Sequence, residues 1–150
     1  MSTLEEQIDV DVPVQVCWEQ LHRVHQYPQF VTGLRHAHPH GSNRAHCDIE
    51  VDGAERVFET AITDHGENQV MNWQTLDAAH VRGTFALRSL ENGATRMQIR
   101  VEYDPEAVHE VYGGPHGFAQ SHAIEETVRG DLAQFKRLVE EERPVPGGGA

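Results

Sequence analysis

The sequence has few basic residues and few cysteines. Its 150 residues include 12 Lys and Arg against 24 Asp and Glu, which gives a formal net charge of −12. Nucleic acids and anionic membranes bind clustered Lys and Arg, so this balance argues against both as partners. No apolar run approaches the roughly 20 residues of a membrane-spanning helix. The N-terminus also lacks the basic and apolar blocks of a signal peptide. We therefore expect a cytoplasmic protein.

Signatures of metal and cofactor sites are missing as well. The two cysteines, Cys17 and Cys47, match neither a CxxC motif nor a zinc-ligand spacing. Among the 11 histidines, His36, His38 and His40 alternate, so that on a strand they would share one face. A proline interrupts that strand and the spacing matches no known metal site, which favours a solvated edge. No phosphate loop, dinucleotide fingerprint or Ser-His-Asp order is present. We predict no metal and no cofactor.

The length predicts one domain with a substantial core over residues 1–143, followed by a disordered Pro/Gly tail over residues 144–150. Within the domain, apolar residues mostly alternate with polar ones, which indicates half-buried strands. Two short helices, Val14–Leu21 and His25–Phe30, are predicted after the first strand. Glu106–Gln120 is predicted as a loop with a fragment of helix at its start, long enough to form a lid or an entrance. The predicted strands are Leu4–Val12, Leu34–Pro39, Ala45–Val51, Glu55–Thr63, Gln69–Thr75, Val81–Leu90 and Thr95–Tyr103.

The chain ends in a long amphipathic helix, predicted over Ser121–Glu142. Its apolar residues recur at helical spacing, and Asp131 interrupts this stripe between Val128 and Phe135. A carboxylate there is costly unless it is paired, hydrogen-bonded or facing a cavity that holds water or ligand. The neighbouring Gly130 costs a helix interior about 1 kcal/mol relative to alanine. The two departures indicate a helix that covers a pocket. The alternatives are a solvated Asp131 at the edge of the stripe and an Asp131 that is hydrogen-bonded to a nearby strand.

An antiparallel sheet of about seven strands with one long helix is an α+β layer. The apolar residues available cannot fill the space enclosed by a sheet that curls around one helix. A cavity between helix and sheet is therefore expected.

Several segments, spread over nearly the whole chain, match one known family in order and spacing. They are residues 8–14, Trp18, residues 27–31, 52–53, 58–63, 72–75, 101–105 and 130–136. On these segments the sequence resembles the START-like, helix-grip superfamily, and within it the polyketide cyclase/dehydrase-like group. The resemblance implies a curved antiparallel sheet of about seven strands around the C-terminal helix, with two short helices after the first strand.

The resemblance further implies an apolar cavity with few polar groups, in which a base removes a proton next to a carbonyl and a donor stabilises the enolate. Strand parity offers Arg56 and Tyr103, and the helix offers Asp131, as candidate catalytic residues. Arg56 would hold a carboxylate or enolate, Tyr103 would donate a hydrogen bond, and Asp131 would act as the base. The alternatives are a solvated arginine beside a hairpin and a core tyrosine. The predicted ligand-binding residues are Cys47, Phe58, Thr60, Trp73, Phe85, Met97, Ile99, Thr127 and Phe135.

Three functions are open. One of them, an interaction protein that uses the fold as a scaffold, requires an interior filled by side chains; the other two use the cavity. The first is a cyclase, aromatase or dehydratase that promotes aldol cyclisation and dehydration of a polyketide-like substrate. The second is a non-catalytic carrier or sensor of an apolar ligand such as a lipid, a quinone or an aromatic metabolite. The expected partner is an apolar or aromatic small molecule, with an acyl carrier protein as a further candidate, and the expected assembly is a monomer or homodimer. Convergence of the polar groups at one point of the cavity would favour the enzyme.

Overall fold

The computed structural model describes residues 2–51, 53–65, 69–77, 79–112 and 117–142. The tail predicted over residues 144–150 lies outside this range. Seven strands form one antiparallel sheet in the order β1-β7-β6-β5-β4-β3-β2. Their bounds are Ser2–Val10 (β1), Leu34–Pro39 (β2), Arg44–Val51 (β3), Ala54–His65 (β4), Val70–Thr75 (β5), Arg82–Ser89 (β6) and Thr95–Tyr103 (β7). The predicted seven-stranded antiparallel sheet is confirmed.

Two short helices carry the chain from one edge of the sheet to the other. Helix α1 spans Val14–His22, and a 3-10 helix spans Val24–Gln29. Pro13 precedes α1, and its fixed φ suits the start of a helix. Pro28 lies inside the 3-10 helix and lacks the N–H that a longer helix would need. β1 and β2 therefore form opposite edges of the sheet although they are consecutive in sequence.

Helix α3, Gly117–Glu142, is held at both edges of the sheet. On the β1 side, Arg129 Nε donates to Glu6 Oε1 at 3.0 Å and Lys136 Nζ donates to the Asp9 carbonyl at 2.9 Å. On the β2 side, Asp131 accepts hydrogen bonds from Thr32. The inner face of α3 is buried through Leu132, Phe135 and Val139. The long C-terminal helix enclosed by a curved sheet is the predicted helix-grip arrangement.

The segment before α3 contains more helix than the sequence predicts. Where Glu106–Gln120 was predicted as a loop with a helical fragment, helix α2 spans Pro105–Tyr112 and α3 begins at Gly117. Residues 113–116 lie outside the described residues. The helical fragment predicted at the start of this segment corresponds to α2, and the loop is shorter than predicted because α3 begins four residues before the predicted Ser121. Among the helices that the structure describes, none is long and apolar enough to cross a membrane.

Candidate functional site

An apolar cavity of about 320 Å³ lies between the inner face of the sheet, the 3-10 helix and α3. Alternation within the strands points every second side chain into this space. All the predicted ligand-binding residues except Thr127 lie on its wall. They are Cys47, Phe58, Thr60, Trp73, Phe85, Met97, Ile99 and Phe135. Their contact with a ligand remains a prediction. Thr127 is exposed, because one helical step of about 100° turns it away from Val128, which lines the cavity in its place.

Sequence reasoning missed the part of the wall that comes from the 3-10 helix and the turn after it. These residues are Val24, Tyr27, Phe30, Val31 and Leu34. In the sequence, Tyr27, Phe30 and Val31 have the spacing of apolar anchors for the predicted short helix. A helix of one or two turns has too little periodicity to show which anchors reach core and which reach cavity.

Trp73 forms one wall of the cavity because its partner on the next strand has no side chain. Trp73 on β5 is paired with Gly83 on β6. A Cβ built on Gly83 would lie 2.3 Å from Trp73 Cζ2 and 2.9 Å from the Arg100 carbonyl oxygen. The indole therefore occupies the space of the missing side chain. Its ring centre lies 6.4 Å from that of Phe85, a tilted contact.

Asp131 is the one carboxylate on the described wall of the cavity. Its Oδ1 accepts two hydrogen bonds from Thr32, at 3.1 Å from the backbone N–H and 2.5 Å from the hydroxyl. Burial raises the pKa of Asp131, and the Thr32 hydrogen bonds oppose this rise. Gly33 follows in the left-handed region at φ +81°, which lets the chain turn sharply beside α3. Asp131 therefore lines the cavity and is also hydrogen-bonded, but its partner lies in a turn and not in a strand.

The three predicted catalytic side chains do not meet at one point. Arg56 is exposed at the end of β4, where its Nε donates to the Val111 carbonyl of α2 at 3.0 Å. Tyr103 is 4% exposed in the core at the end of β7 and is not part of the cavity wall. Asp131 alone lines the cavity. Strand parity assigns Arg56 to the inner side, but its guanidinium bonds to the backbone of α2 and does not reach the cavity.

The other polar groups of the wall mostly bond to the protein itself. Tyr27 donates its hydroxyl to the Leu21 carbonyl at 2.6 Å, and burial raises its pKa. Thr75 donates its hydroxyl to the Val81 carbonyl and accepts from the Val81 N–H. Burial also raises the pKa of the Cys47 thiol. Neither the thiol nor the phenol is therefore poised to act as a base near neutral pH.

None of the histidines among the described residues belongs to the cavity wall. Glu59 accepts from the Nδ1 atoms of His46, at 2.7 Å, and His40, at 3.0 Å. The hydrogen bond to Glu59 raises the pKa of His46, and the bonds to both histidines lower the pKa of Glu59. Within the described ranges, no group of three or more His, Cys, Asp or Glu side chains could hold a metal ion.

Comparisons with known proteins agree with this architecture. A family described as "Polyketide cyclase / dehydrase and lipid transport" matches residues 10–130. An uncharacterized 17.2 kDa protein from the melC2-rnhH intergenic region of Streptomyces lincolnensis is 28% identical over 149 residues, covering 99% of this chain and 96% of the relative. The family match spans most of the sequence. The chain belongs to the polyketide cyclase/dehydrase and lipid transport family.

Solved structures show the same fold at low sequence identity. The Zhui aromatase/cyclase from Streptomyces sp. R1128 superposes with a TM-score of 0.78 at 15% identity, covering 98% of each chain. A START superfamily protein from Mycobacterium smegmatis gives a TM-score of 0.77 at 15% identity, covering 94% of this chain and 99% of that one. The fold is therefore START-like, as the resemblance implied.

Proposed function

We propose that this protein binds one apolar or aromatic small molecule in the cavity between sheet and helix, and that it carries or senses the molecule without converting it. The observation that supports binding is the cavity itself, whose wall is built almost wholly from apolar side chains. Burial of apolar surface is favourable by about 25 cal/mol per Å², so such a wall suits an apolar ligand.

Carriage is favoured over catalysis because the polar groups do not converge. Aldol cyclisation needs a base and, opposite it, a cation or hydrogen-bond donor for the enolate oxygen. Asp131 is a candidate base, but no Lys, Arg or His belongs to the cavity wall in the described part of the chain. Tyr27, the aromatic hydroxyl on the wall, already donates to a backbone carbonyl.

Cyclisation and dehydration of a polyketide-like substrate is the second candidate function. The observation that favours it is a cavity carboxylate whose pKa is raised, as a proton acceptor near neutral pH requires. The family name and the aromatase/cyclase neighbour support the same candidate. An acyl carrier protein would then deliver the substrate.

Binding is tested with N-phenyl-1-naphthylamine, an uncharged probe that fluoresces in apolar surroundings. Thr60→Phe places a large side chain in the cavity. Val57→Phe adds the same group to the opposite side of β4, where Val57 is 63% exposed. We expect Thr60→Phe to weaken probe binding at least about tenfold and Val57→Phe to leave it unchanged. Equal binding by both variants would place the probe elsewhere and contradict the proposal.

Conversion is tested with heptane-2,6-dione, which loses one water on aldol cyclisation to 3-methylcyclohex-2-enone. The conjugated product is followed by its ultraviolet absorption. Carriage predicts the same rate with and without protein. An acceleration that Asp131→Asn abolishes and Glu141→Gln retains would support the cyclase, since Glu141 is an exposed carboxylate of the same helix.

A further inference from the structure

The ionisable groups around the cavity carry charge of one sign. Apart from Cys47 and Tyr27, whose pKa values burial raises, the only ionisable side chain on the described wall is Asp131. Among the basic residues of α3, Arg129 pairs with Glu6, Lys136 pairs with Glu140 at 2.7 Å, and Arg137 is exposed; none of the three belongs to the cavity wall. A ligand that enters this cavity therefore meets a carboxylate and no positive charge.

Arg35, which follows the Thr32 turn in the sequence, is also paired with carboxylates. A shallow depression on the far side of this turn is lined by Arg35, Glu50 and Gln134 among others. Arg35 Nη2 lies 2.8 Å from Glu50 Oε2, and its Nη1 lies 3.7 Å from a carboxylate oxygen of Glu55. Arg35 is thus neutralised on the surface and does not provide a counter-charge inside the cavity.

Asp131 offers one open acceptor. Both hydrogen bonds from Thr32 end on Oδ1. Among the residues that the structure describes, no donor lies within hydrogen-bond distance of Oδ2. A carboxylate oxygen in an apolar wall is stabilised by a hydrogen-bond donor, and a ligand hydroxyl or N–H can supply it.

The volume limits the size of the ligand. At the packing density of about 0.75 found in protein interiors, a molecule in the 320 Å³ cavity would fill about 240 Å³, or roughly 15 non-hydrogen atoms. This corresponds to two or three fused rings or a single alkyl chain of similar size.

We propose that the cavity selects uncharged ligands of this size that carry one hydroxyl or N–H donor, which Asp131 Oδ2 accepts, and that it rejects carboxylates. The inference rests on the proposed ligand-binding function and narrows its ligand class. A carboxylate would lose its hydration with no counter-charge to replace it and would lie near a second carboxylate, and both effects oppose binding.

The test is a competition against N-phenyl-1-naphthylamine with three ligands of matched shape: 2-naphthol, 2-methylnaphthalene and 2-naphthoate, at neutral pH. We expect 2-naphthol to displace the probe about fivefold better than 2-methylnaphthalene, and 2-naphthoate to be at least about tenfold weaker than 2-methylnaphthalene.

Two substitutions separate charge from hydrogen bonding. In Asp131→Asn the amide oxygen can keep the two Thr32 hydrogen bonds, so the NH2 group takes the place of Oδ2. The negative charge is then lost and a donor faces the ligand, so the affinity ratio of 2-naphthoate to 2-naphthol should rise at least about tenfold. Asp131→Ala removes the acceptor, so 2-naphthol should lose its advantage over 2-methylnaphthalene. Glu141→Gln removes the same charge from the exposed face of α3 and should leave the order of the three ligands as in the wild type.

The outcomes distinguish the two proposals. If the three ligands displace the probe equally well from the wild type, the cavity binds apolar molecules but the selectivity is refuted. A residual penalty on 2-naphthoate from lost hydration is expected in Asp131→Asn. If the affinity ratio of 2-naphthoate to 2-naphthol is the same in Asp131→Asn as in the wild type, the Asp131 charge does not contribute to the penalty and the inference also fails. If no ligand displaces the probe, ligand binding in the cavity is refuted together with the selectivity.

Discussion

Replacing Gly83 with alanine should destabilise the protein, because the added methyl group would overlap the Trp73 indole. The new Cβ would lie 2.3 Å from Trp73 Cζ2 and 2.5 Å from Cε2. Ordinary contacts begin at about 3.4 Å, so the ring would have to move by about 1 Å. The third close atom is a backbone oxygen, that of Arg100 at 2.9 Å, which cannot rotate away.

The magnitude follows from two opposing effects. Overpacking a core costs about 1–3 kcal/mol, and this overlap lies at the upper end. Alanine restricts the unfolded chain more than glycine does, which returns about 0.4–1 kcal/mol. We therefore expect a net loss of about 2 kcal/mol. With a urea dependence of about 2 kcal/mol per M, the unfolding midpoint should fall by about 1 M.

Gly130→Ala is the matched control. It makes the same chemical change in α3, where a Cβ would meet no atom within 4 Å. Alanine favours a helix interior over glycine by about 1 kcal/mol, so this variant should unfold at higher urea than the wild type.

Both variants are measured by urea unfolding followed through circular dichroism and tryptophan fluorescence. The indole contact is isolated by repeating Gly83→Ala in a Trp73→Ala background, where most of its cost should disappear. If Gly83→Ala is as stable as the wild type, or if its cost is the same without the indole, Trp73 does not occupy the space over Gly83 and the described cavity wall is wrong.

Three further predictions concern stability. Phe135→Ala should cost about 3–5 kcal/mol in urea unfolding, because the ring is fully buried and meets Phe30 edge-on at 5.1 Å; a cost below about 1 kcal/mol would contradict this packing. Because the pKa of Asp131 is raised in the folded protein, protonation of Asp131 stabilises the fold. This stabilisation is complete below pH 3.8 and is lost as pH rises through the pKa of the folded state. The free energy of unfolding of Asp131→Asn, relative to that of the wild type, should therefore rise as pH increases above 3.8. A difference between the two proteins that does not change with pH would contradict this. The pKa shifts of His46 and Glu59 stabilise the fold between the lowered pKa of Glu59 and the raised pKa of His46. His46→Gln should consequently lower the melting temperature at about pH 5.5 and not at about pH 9, and equal melting shifts at both values would refute the pairing.

The strands were predictable because the sheet has one buried face. Alternation from Met97 to Tyr103 survives in the burial of β7, and the predicted bounds of β2 and β7 are those of the structure. The Asn-Gly pair at residues 92 and 93 is a sequence signal for a hairpin turn. It lies in the turn between β6 and β7, where the Gly93 N–H donates to the Leu90 carbonyl. Alternation with a period of two identifies a strand and also the face of the sheet on which each side chain lies. The apolar wall of the cavity was therefore predictable from the same pattern.

The polar part of the site was less predictable. Parity placed Arg56 on the inner side of β4, but a long side chain near a strand end goes where it finds an acceptor. That acceptor is the Val111 carbonyl of α2, and the sequence pattern does not show that this helix packs against the start of β4. Thr127 was predicted to line the cavity but is exposed. It precedes the cavity residue Val128 by one position, and the helical rotation of about 100° per residue turns its side chain away.

The sequence by itself determined the strands, the apolar interior and the presence of one carboxylate on the inner stripe of the last helix, and its resemblance to a known family implied the helix-grip arrangement. The strand and helix patterns are periodic, so each of them can be recognised within a single element. Only the tertiary structure decided that Asp131 is bound by Thr32, that Arg56 and Tyr103 stay out of the cavity, and that Gly83 makes room for Trp73. Such contacts join residues distant in sequence, and their geometry depends on how the whole sheet curves around its helix.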